Sequence, residues 1–467
     1  MKKHLLLITV SLIVVLILTF SLVNCVVAPD ISNTSSTTKN PNNDIPNPGE
    51  SLRDPIDYTN TFFAIDSLFK SYSIFDVDYE TAMLAAIKAY VGATGDKYAM
   101  FYTDEELEAL FAENNGDLYG IGVQVVFDYE KYFIEIVIIF PDSPALEHLI
   151  VGDKVTHIVD DGQKVALADL VAKNKEKVKA LYPQYTDEEI NNVACYETFQ
   201  YAVSKLKGPE GTYAQFTVDR DGTSYDMSIK RAKVKTLSVT SRVSIRDSKV
   251  GIVYISGFDL TTPVQFKENM DMLIAQGCNK FVFDVRNNPG GDLASVVAVL
   301  STLLNSGDVI LSTKDLNNDT QITKVGVVNY SVSSGYSTCN VSKSDIGKYS
   351  GYEMVVLANK NSASAAELFT AALRDHDKAD IVGVNTYGKG SVQSIITLSK
   401  LSSYCYGGLK LTTKLYFPPC GVGYDGGIGI APDYMVELEG EAAKINFYKL
   451  TEDIDNQLQK AVSILID

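Results

Sequence analysis

From about residue 240 to about residue 440, short β-type runs alternate with helical runs, and this alternation limits the folds open to the chain more than any other feature. "KVGIVYIS" is followed by the helical "PVQFKENMDMLIAQG", then by "KFVFDVRNNPGG", "LASVVAVLSTLLNSG" and "VILSTK". Further on come "MVVLANK", a helical pattern after Ser364, "ADIVGVNTYGKGSVQSIITL" and "GGLKLTTKLYFPP". Strands and helices in turn predict an α/β layer structure. Residues 313–350 lack strong periodicity and read as a surface excursion.

Upstream, the pattern changes twice. "DPIDYTNTFFAIDSLFKSY" and "DYETAMLAAIKAYVGA" carry apolar residues at three- and four-residue spacing, so residues 55–115 read as a helical region. "YTDEELEALFAEN" continues it, with Thr103 at a cap position and Glu106 three residues on. Residues 116–235 read as a compact β-rich module, because "YGIGVQVVF", "YFIEIVIIF" and "KVTHIVDDG" are short β-type runs between turn residues. "YAQFTVDRDGTSYDMSIKRA" predicts a hairpin that turns at Asp221-Gly222. A helical, polar-faced stretch around 171–200 exceeds what a small β-domain needs and reads as an insertion.

The N-terminus carries an address. Lys2 and Lys3 precede an uncharged run from Leu5 to Val23, 19 residues long, which is just enough to span a bilayer. Leu22-Val23-Asn24-Cys25 also resembles a bacterial lipobox, in which the Cys is lipidated. Residues 1–25 therefore read as a signal or membrane anchor, and either form predicts an exported, membrane-tethered protein. Residues 26–54, rich in Ser, Thr, Asn and Pro, read as a disordered, solvated linker. The formal net charge of −17 argues against a nucleic-acid binder, whose affinity rests on clustered Lys and Arg. Of six cysteines, five remain after Cys25, with no CxxC and no metal-ligand spacing. They read mostly as packing residues, with one bridge such as Cys405 to Cys420 left open.

Three features at strand ends carry the chemistry. "FDVRNNPGG" places Gly290 and Gly291 in a turn after a buried strand, where consecutive glycines let backbone N–H groups approach a ligand. "NSASAAELFTAAL" puts Ser364 before an apolar helix, and Ser364 with Glu367 fits a capping box. The same position lies beside unpaired helix N–H groups, where the N–H of Ala365 and one from Gly290 or Gly291 can hold an oxyanion. Cap and nucleophile compete for this serine. "GVNTYGKGSVQS" then offers Lys389 as a base. Bringing a lysine amine from about 10.4 to roughly 7–8 takes ~4 kcal/mol, which burial supplies. On a strand, Lys389, Ser391 and Gln393 share one face, so Gln393 can orient the amine.

Two rivals draw on the same stretch. Gly383, Gly388 and Lys389 nearly match a phosphate-binding loop, but Gly390 stands where a magnesium-binding hydroxyl is required and a strand follows. A Ser-His-Asp triad would need His376, which sits in the polar run "RDHDKAD". An inert peptide-binding scaffold is the further alternative.

"NKNSASAAELFTAALRDHDKADIVGVNTYGKGSVQS" resembles the active-site region of the C-terminal processing proteases, also called tail-specific proteases. The resemblance implies a Ser-Lys dyad of Ser364 and Lys389, 25 positions apart as in that family, with Gln393 in support. Ser362 would fall at a non-catalytic position, and Glu367 matches a family position near the nucleophile. "DVRNNPGG" looks like the family's oxyanion-side loop. Cys420, where the family commonly has Ser, and the lengthened 311–350 region are departures. "YGIGV" looks like the carboxylate-binding loop of a PDZ domain, which makes Tyr119, Gly120, Ile121, Gly122 and Val123 the expected docking site for a substrate's C-terminus.

By this likeness the chain is a multidomain α/β protein. It has an N-terminal helical region, an inserted PDZ-like domain at 116–235, an α/β Ser-Lys peptidase core at 236–440 and a C-terminal helical segment at 441–467. The implied activity is serine endopeptidase action on protein C-terminal tails, without metal or organic cofactor. Homo-oligomerisation is left open.

Overall fold

The structure, a computed structural model, describes residues 55–326, 328–331 and 338–466. The expected anchor at 1–25 and the linker at 26–54 lie outside the described residues. Among the described residues, no helix is long and apolar enough to cross a membrane. The chain divides into two compact units, one of Glu105–Gln393 with Thr413 onward, the other of residues 55–104 with Ser394–Thr412.

The larger unit is built on a six-stranded sheet in the order Val239–Val243, Val250–Ile255, Lys280–Asp284, Glu353–Ala358, Ala379–Gly383, Tyr434–Met435. The first pair is antiparallel and the rest are parallel. Because side chains alternate along a strand, each strand feeds two cores. Val253, Phe281, Phe283 and Val356 face the helices Thr262–Ala275, Leu293–Leu303 and Ala365–Asp375. Ile252, Val282, Val355 and Leu357 face the other way, against Leu458, Ala461 and Leu465 of the helix Asn456–Ile466. Both faces of the sheet are therefore covered. The last helix is also held by charge: Arg286, just past the strand Lys280–Asp284, pairs in the interior with Asp284 and with Asp455. A buried guanidinium is tolerated because its donors are all directed at carboxylates and at the Gln457 carbonyl.

The 313–350 region is more ordered than its weak periodicity suggests. Val309–Asp315 and Thr320–Lys324 form an antiparallel hairpin, and Ser312–Asp315 also pairs with Lys414–Phe417. Val328–Ser331 pairs with Thr338–Val341. The turn chemistry explains the first hairpin. Asp315 accepts the N–H groups of Asn317 and Asp319, and Asn318 takes a left-handed φ of 63°.

The β-rich part of this unit has its own core around Ile134, Ile136, Val155, Phe216 and Val218. Its sheet runs Val123–Asp128, Phe133–Ile139, Lys154–Asp160, Tyr213–Arg220, Thr223–Lys230, leaving Val123–Asp128 at an edge. The last two strands turn at Asp221 and Gly222, both at positive φ, as the Asp-Gly pair predicts. Asp117–Gly120 pairs with Ala232–Lys235 where the chain enters and leaves. The helical stretch around 171–200 is two helices, Leu167–Leu181 and Asp187–Leu206, packed on each other. The second starts with a full capping box between Thr186 and Glu189.

In the smaller unit, helices Pro55–Tyr72 and Tyr79–Gly92 precede Met100–Tyr102, which pairs with Gly408–Lys410. Cys195 and Cys278 are buried, as packing residues should be, but Cys405 and Cys420 are exposed; all four are free thiols, so the considered bridge is absent.

The helix Ala365–Asp375 is fixed to the sheet by Phe369, which is fully buried with its ring 5.9 Å from Phe258 and 5.7 Å from Phe283. Phe369→Ala should lower unfolding free energy by about 3–5 kcal/mol, measured as a fall in chemical-denaturation midpoint; a loss under ~1 kcal/mol would mean that the site collapses around the cavity.

Candidate active site

Ser364 stands between the strand Glu353–Ala358 and the helix Ala365–Asp375, in a backbone conformation (φ 56°, ψ −118°) that a residue with a Cβ rarely adopts. Strain of this kind costs about 1–3 kcal/mol and persists only where the surroundings over-determine it. Here they do. Ser362, fully buried, donates its hydroxyl to Val285 O at 2.7 Å, and the Ala363 N–H donates to Asn288 O at 3.0 Å. Ser362 is thus committed to holding the turn, while Ser364 is half-buried and lines a pocket. The same pocket is lined by Gly291, Ala365, Ser391, Gln393 and Tyr416.

The two expected oxyanion glycines have different duties. Gly290 donates its N–H to Asn288 Oδ1 at 2.8 Å, and a Cβ there would lie 2.7 Å from Ala363 O and from Ser364 Cβ. Its absence of a side chain lets the loop press against the serine turn. Of the pair, Gly291 is the one that lines the pocket. Ala365 also lines the pocket, and its N–H, as the first of a helix, has no carbonyl one turn back.

Glu367 joins the turn at Ser364 to the segment that carries Lys389. Its carboxylate is fully buried, and Oε2 accepts the N–H of Ser364 at 2.9 Å and the N–H of Lys389 at 2.8 Å. Oε1 accepts the Thr386 hydroxyl and the Gly388 N–H, each at 2.6 Å. The capping position read from the sequence therefore exists, and the acid of the box reaches across to the segment that holds the lysine. Tyr416 reinforces the link from the opposite side. Its hydroxyl donates to Lys389 O at 2.6 Å and lies 2.9 Å from Ser364 O. The Lys389 side chain is buried, at 3% exposure. Gln393 Nε2 donates to Ser391 Oγ at 3.1 Å, with both side chains buried.

The rivals fare badly. The Gly388 N–H, which a phosphate would need, is taken by the Glu367 carboxylate, and a strand, Ser391–Thr397, follows. His376 ends the serine helix and lies 2.7 Å from Val309 O through Nε2; neither it nor Lys389 is among the groups that line the pocket. Within the β-rich part, the expected loop is divided. Tyr119 and Gly120 pair with Lys233 and Ala232, Ile121 is buried, and Val123 opens the edge strand. Gly122, at φ 78°, would drive a Cβ into Ser143 at 2.3 Å, so only glycine fits there.

Glu367 and Tyr416 were the least visible members. Glu367 was legible as a cap acid and, by resemblance, as a position near the nucleophile, and Tyr416 carried no signal within "LTTKLYFPP".

A strained serine at a strand-to-helix turn, facing backbone N–H groups and tied to a buried lysine, defines a serine-type peptidase site. Residues 249–436 match the model of Peptidase family S41. The chain is 28% identical over 349 residues to a carboxy-terminal-processing protease of Bartonella bacilliformis, a match covering 73% of this chain and 67% of that one. It is 26% identical over 366 residues to a CtpA-like serine protease of Staphylococcus saprophyticus, covering 78% and 62%. The matched span is thus about two thirds of these relatives' length. Among solved structures, a photosystem II D1 C-terminal processing protease aligns at 22% identity and TM-score 0.43, over 81% of this chain and 87% of that one.

Burial raises Glu367 from 4.5 to about 7, against the pull of its four donors. A carboxyl that ionises less readily folded than unfolded contributes stability that is present below about 4.5 and is lost as pH rises through about 7. Glu367→Gln should be less stable, by roughly 1–3 kcal/mol, because an amide NH2 faces N–H donors. Across that window its melting temperature should also fall less with rising pH than that of the wild type. Equal slopes would show that Glu367 stays ionised throughout.

Proposed function

We propose that this chain is a Ser-Lys endopeptidase that recognises and cleaves proteins near their C-terminal tails outside the cytoplasm. The observation that carries the reading is the single Glu367 oxygen shared by the backbone N–H groups of Ser364 and Lys389, which fixes nucleophile and base to one point.

Lys389, as a neutral amine, takes the Ser364 proton while Oγ attacks the scissile carbonyl. The N–H groups of Ala365 and Gly291 hold the resulting oxyanion. Lys389 then protonates the leaving amine, and water attacks the acyl-enzyme with the same lysine as base. Burial serves this role, because desolvation disfavours the charged amine. Gln393 orients the base through the buried strand face it shares with Ser391.

In this reading the β-rich part is a PDZ-like domain. A substrate tail adds as a strand to the free edge Val123–Asp128, with its carboxylate at the loop ending in Gly122 and Val123. Docking there also gates the catalytic centre. The apolar run Leu5–Val23 and Cys25 supply a span or a lipid anchor that tethers the enzyme to a bacterial membrane.

Purified Ser364→Ala and Lys389→Ala proteins should each keep their melting temperature and lose cleavage of a peptide with an apolar C-terminus by at least about a thousandfold, followed by mass spectrometry of the products. His376→Ala should cleave normally. Full activity in either of the first two variants, or loss of chemistry in the third with folding intact, would reject the dyad.

A further inference from the structure

Asp292 follows the glycine pair directly and takes no part in the chemistry above. It is fully buried. Its N–H donates to Phe258 O at 2.6 Å, and Phe258 N–H donates to Gly290 O at 2.9 Å, with Phe258 and Gly291 bridged in parallel. The residue is therefore stitched to the short stretch that sets the oxyanion loop. Oδ1 accepts the Ser295 N–H at 2.9 Å and caps the helix Leu293–Leu303. Oδ2 is buried with no partner at full hydrogen-bond geometry, the Asn114 side chain being a weak donor to the carboxyl. An ionised carboxylate with one oxygen so poorly supplied in a dry interior is the costly form of the group.

Its surroundings favour the neutral form. The charged neighbour is Asp259, a second buried carboxyl, and the remaining faces are the Asn114 side chain and the N–H groups of Ala294 and Ser295. Asp259 is well supplied, taking the Thr236 and Thr261 hydroxyls and the N–H groups of Thr261 and Thr262. Of two buried acids side by side, the poorly supplied one keeps the proton. Burial lifts Asp292 to about 7, outweighing its N–H partners.

We propose that Asp292 is a positioning residue whose carboxyl must be neutral for the Gly290–Gly291 loop to serve as an oxyanion hole. The inference rests on the reading of Gly291 as an oxyanion donor. Ionised, Asp292 would place a negative charge one residue from that N–H and oppose the charge that develops on the substrate. At an effective dielectric of about 20, a unit charge roughly 10 Å away would oppose it by on the order of a tenfold loss of rate. Neutral, it caps its helix through Oδ1 and leaves the field at the loop positive. Rising pH would therefore switch off the hole even as it frees more of the lysine base.

The test is the pH dependence of kcat and KM between about pH 5 and 9 for the full-length enzyme, with a fluorogenic peptide bearing an apolar C-terminus. Wild-type kcat should fall about tenfold on the alkaline side of neutrality with KM level. Asp292→Asn, which keeps the cap with a neutral amide, should lose that limb. Asp259→Asn removes the neighbouring charge and should shift the limb to higher pH. An alkaline limb unchanged in Asp292→Asn overturns the proposal, as does a wild type that cleaves without such a limb. Should Asp292→Asn fail to fold, an unmoved limb in Asp259→Asn overturns it equally. A wild type that cleaves nothing at any pH rejects the peptidase reading itself.

Discussion

One buried carboxylate organises the catalytic centre. Glu367 gathers four donors from two segments that the sequence keeps apart: the turn at Ser364, and the stretch from Thr386 to Lys389. Secondary structure alone does not bring these segments into register, since one begins a helix and the other precedes a strand. Four hydrogen bonds to one carboxyl group do, and they do so in the interior, where leaving any of the donors unmet costs about 1–3 kcal/mol. The position of the Lys389 backbone relative to that of Ser364 is thus fixed by these bonds. Tyr416, reaching both carbonyls from the other side, closes the frame.

The frame also supports strain. Ser364 occupies a backbone conformation that L-residues avoid, and the chain on both sides of it is pinned. Ser362 bonds to Val285, Ala363 to Asn288, and Gly290 lies so close that a methyl group would not fit. Asn288 serves twice, because it also fixes the Gly290 N–H and thereby leaves Gly291 at the pocket. Preorganised dipoles of this kind are the main means by which a site stabilises charge that exists only in the transition state. The covered sheet beneath makes that rigidity affordable, with Phe369 locking the serine helix and Arg286 tying the C-terminal helix to the strand that carries the oxyanion loop.

Much of this was legible beforehand, for identifiable reasons. The alternation after residue 240 reports burial on both faces of a sheet, and that pattern survives in any sequence that builds one. Asp221-Gly222 announced its hairpin because few residue pairs tolerate two left-handed conformations in succession. Ser364 and Lys389 were marked by their glycine-rich and helix-start settings. The region after 313 misled because its short hairpins carry little apolar alternation, and one of their strands takes a further partner, Lys414–Phe417, about a hundred residues distant. Tyr416 was invisible for the same reason. The different duties of Gly290 and Gly291 depend on where a neighbouring N–H points, which a pair of identical letters cannot encode.

The central claim is that Ser364 is a nucleophile made reactive by Lys389. The most direct measurement is mass spectrometry of the enzyme after exposure to a serine-reactive fluorophosphonate, with the modified peptide located by digestion. The account predicts one adduct, on the peptide that contains Ser364, forming far more slowly when Lys389 is replaced by Met. An adduct on another residue, or an equal rate of labelling without the lysine, would contradict it.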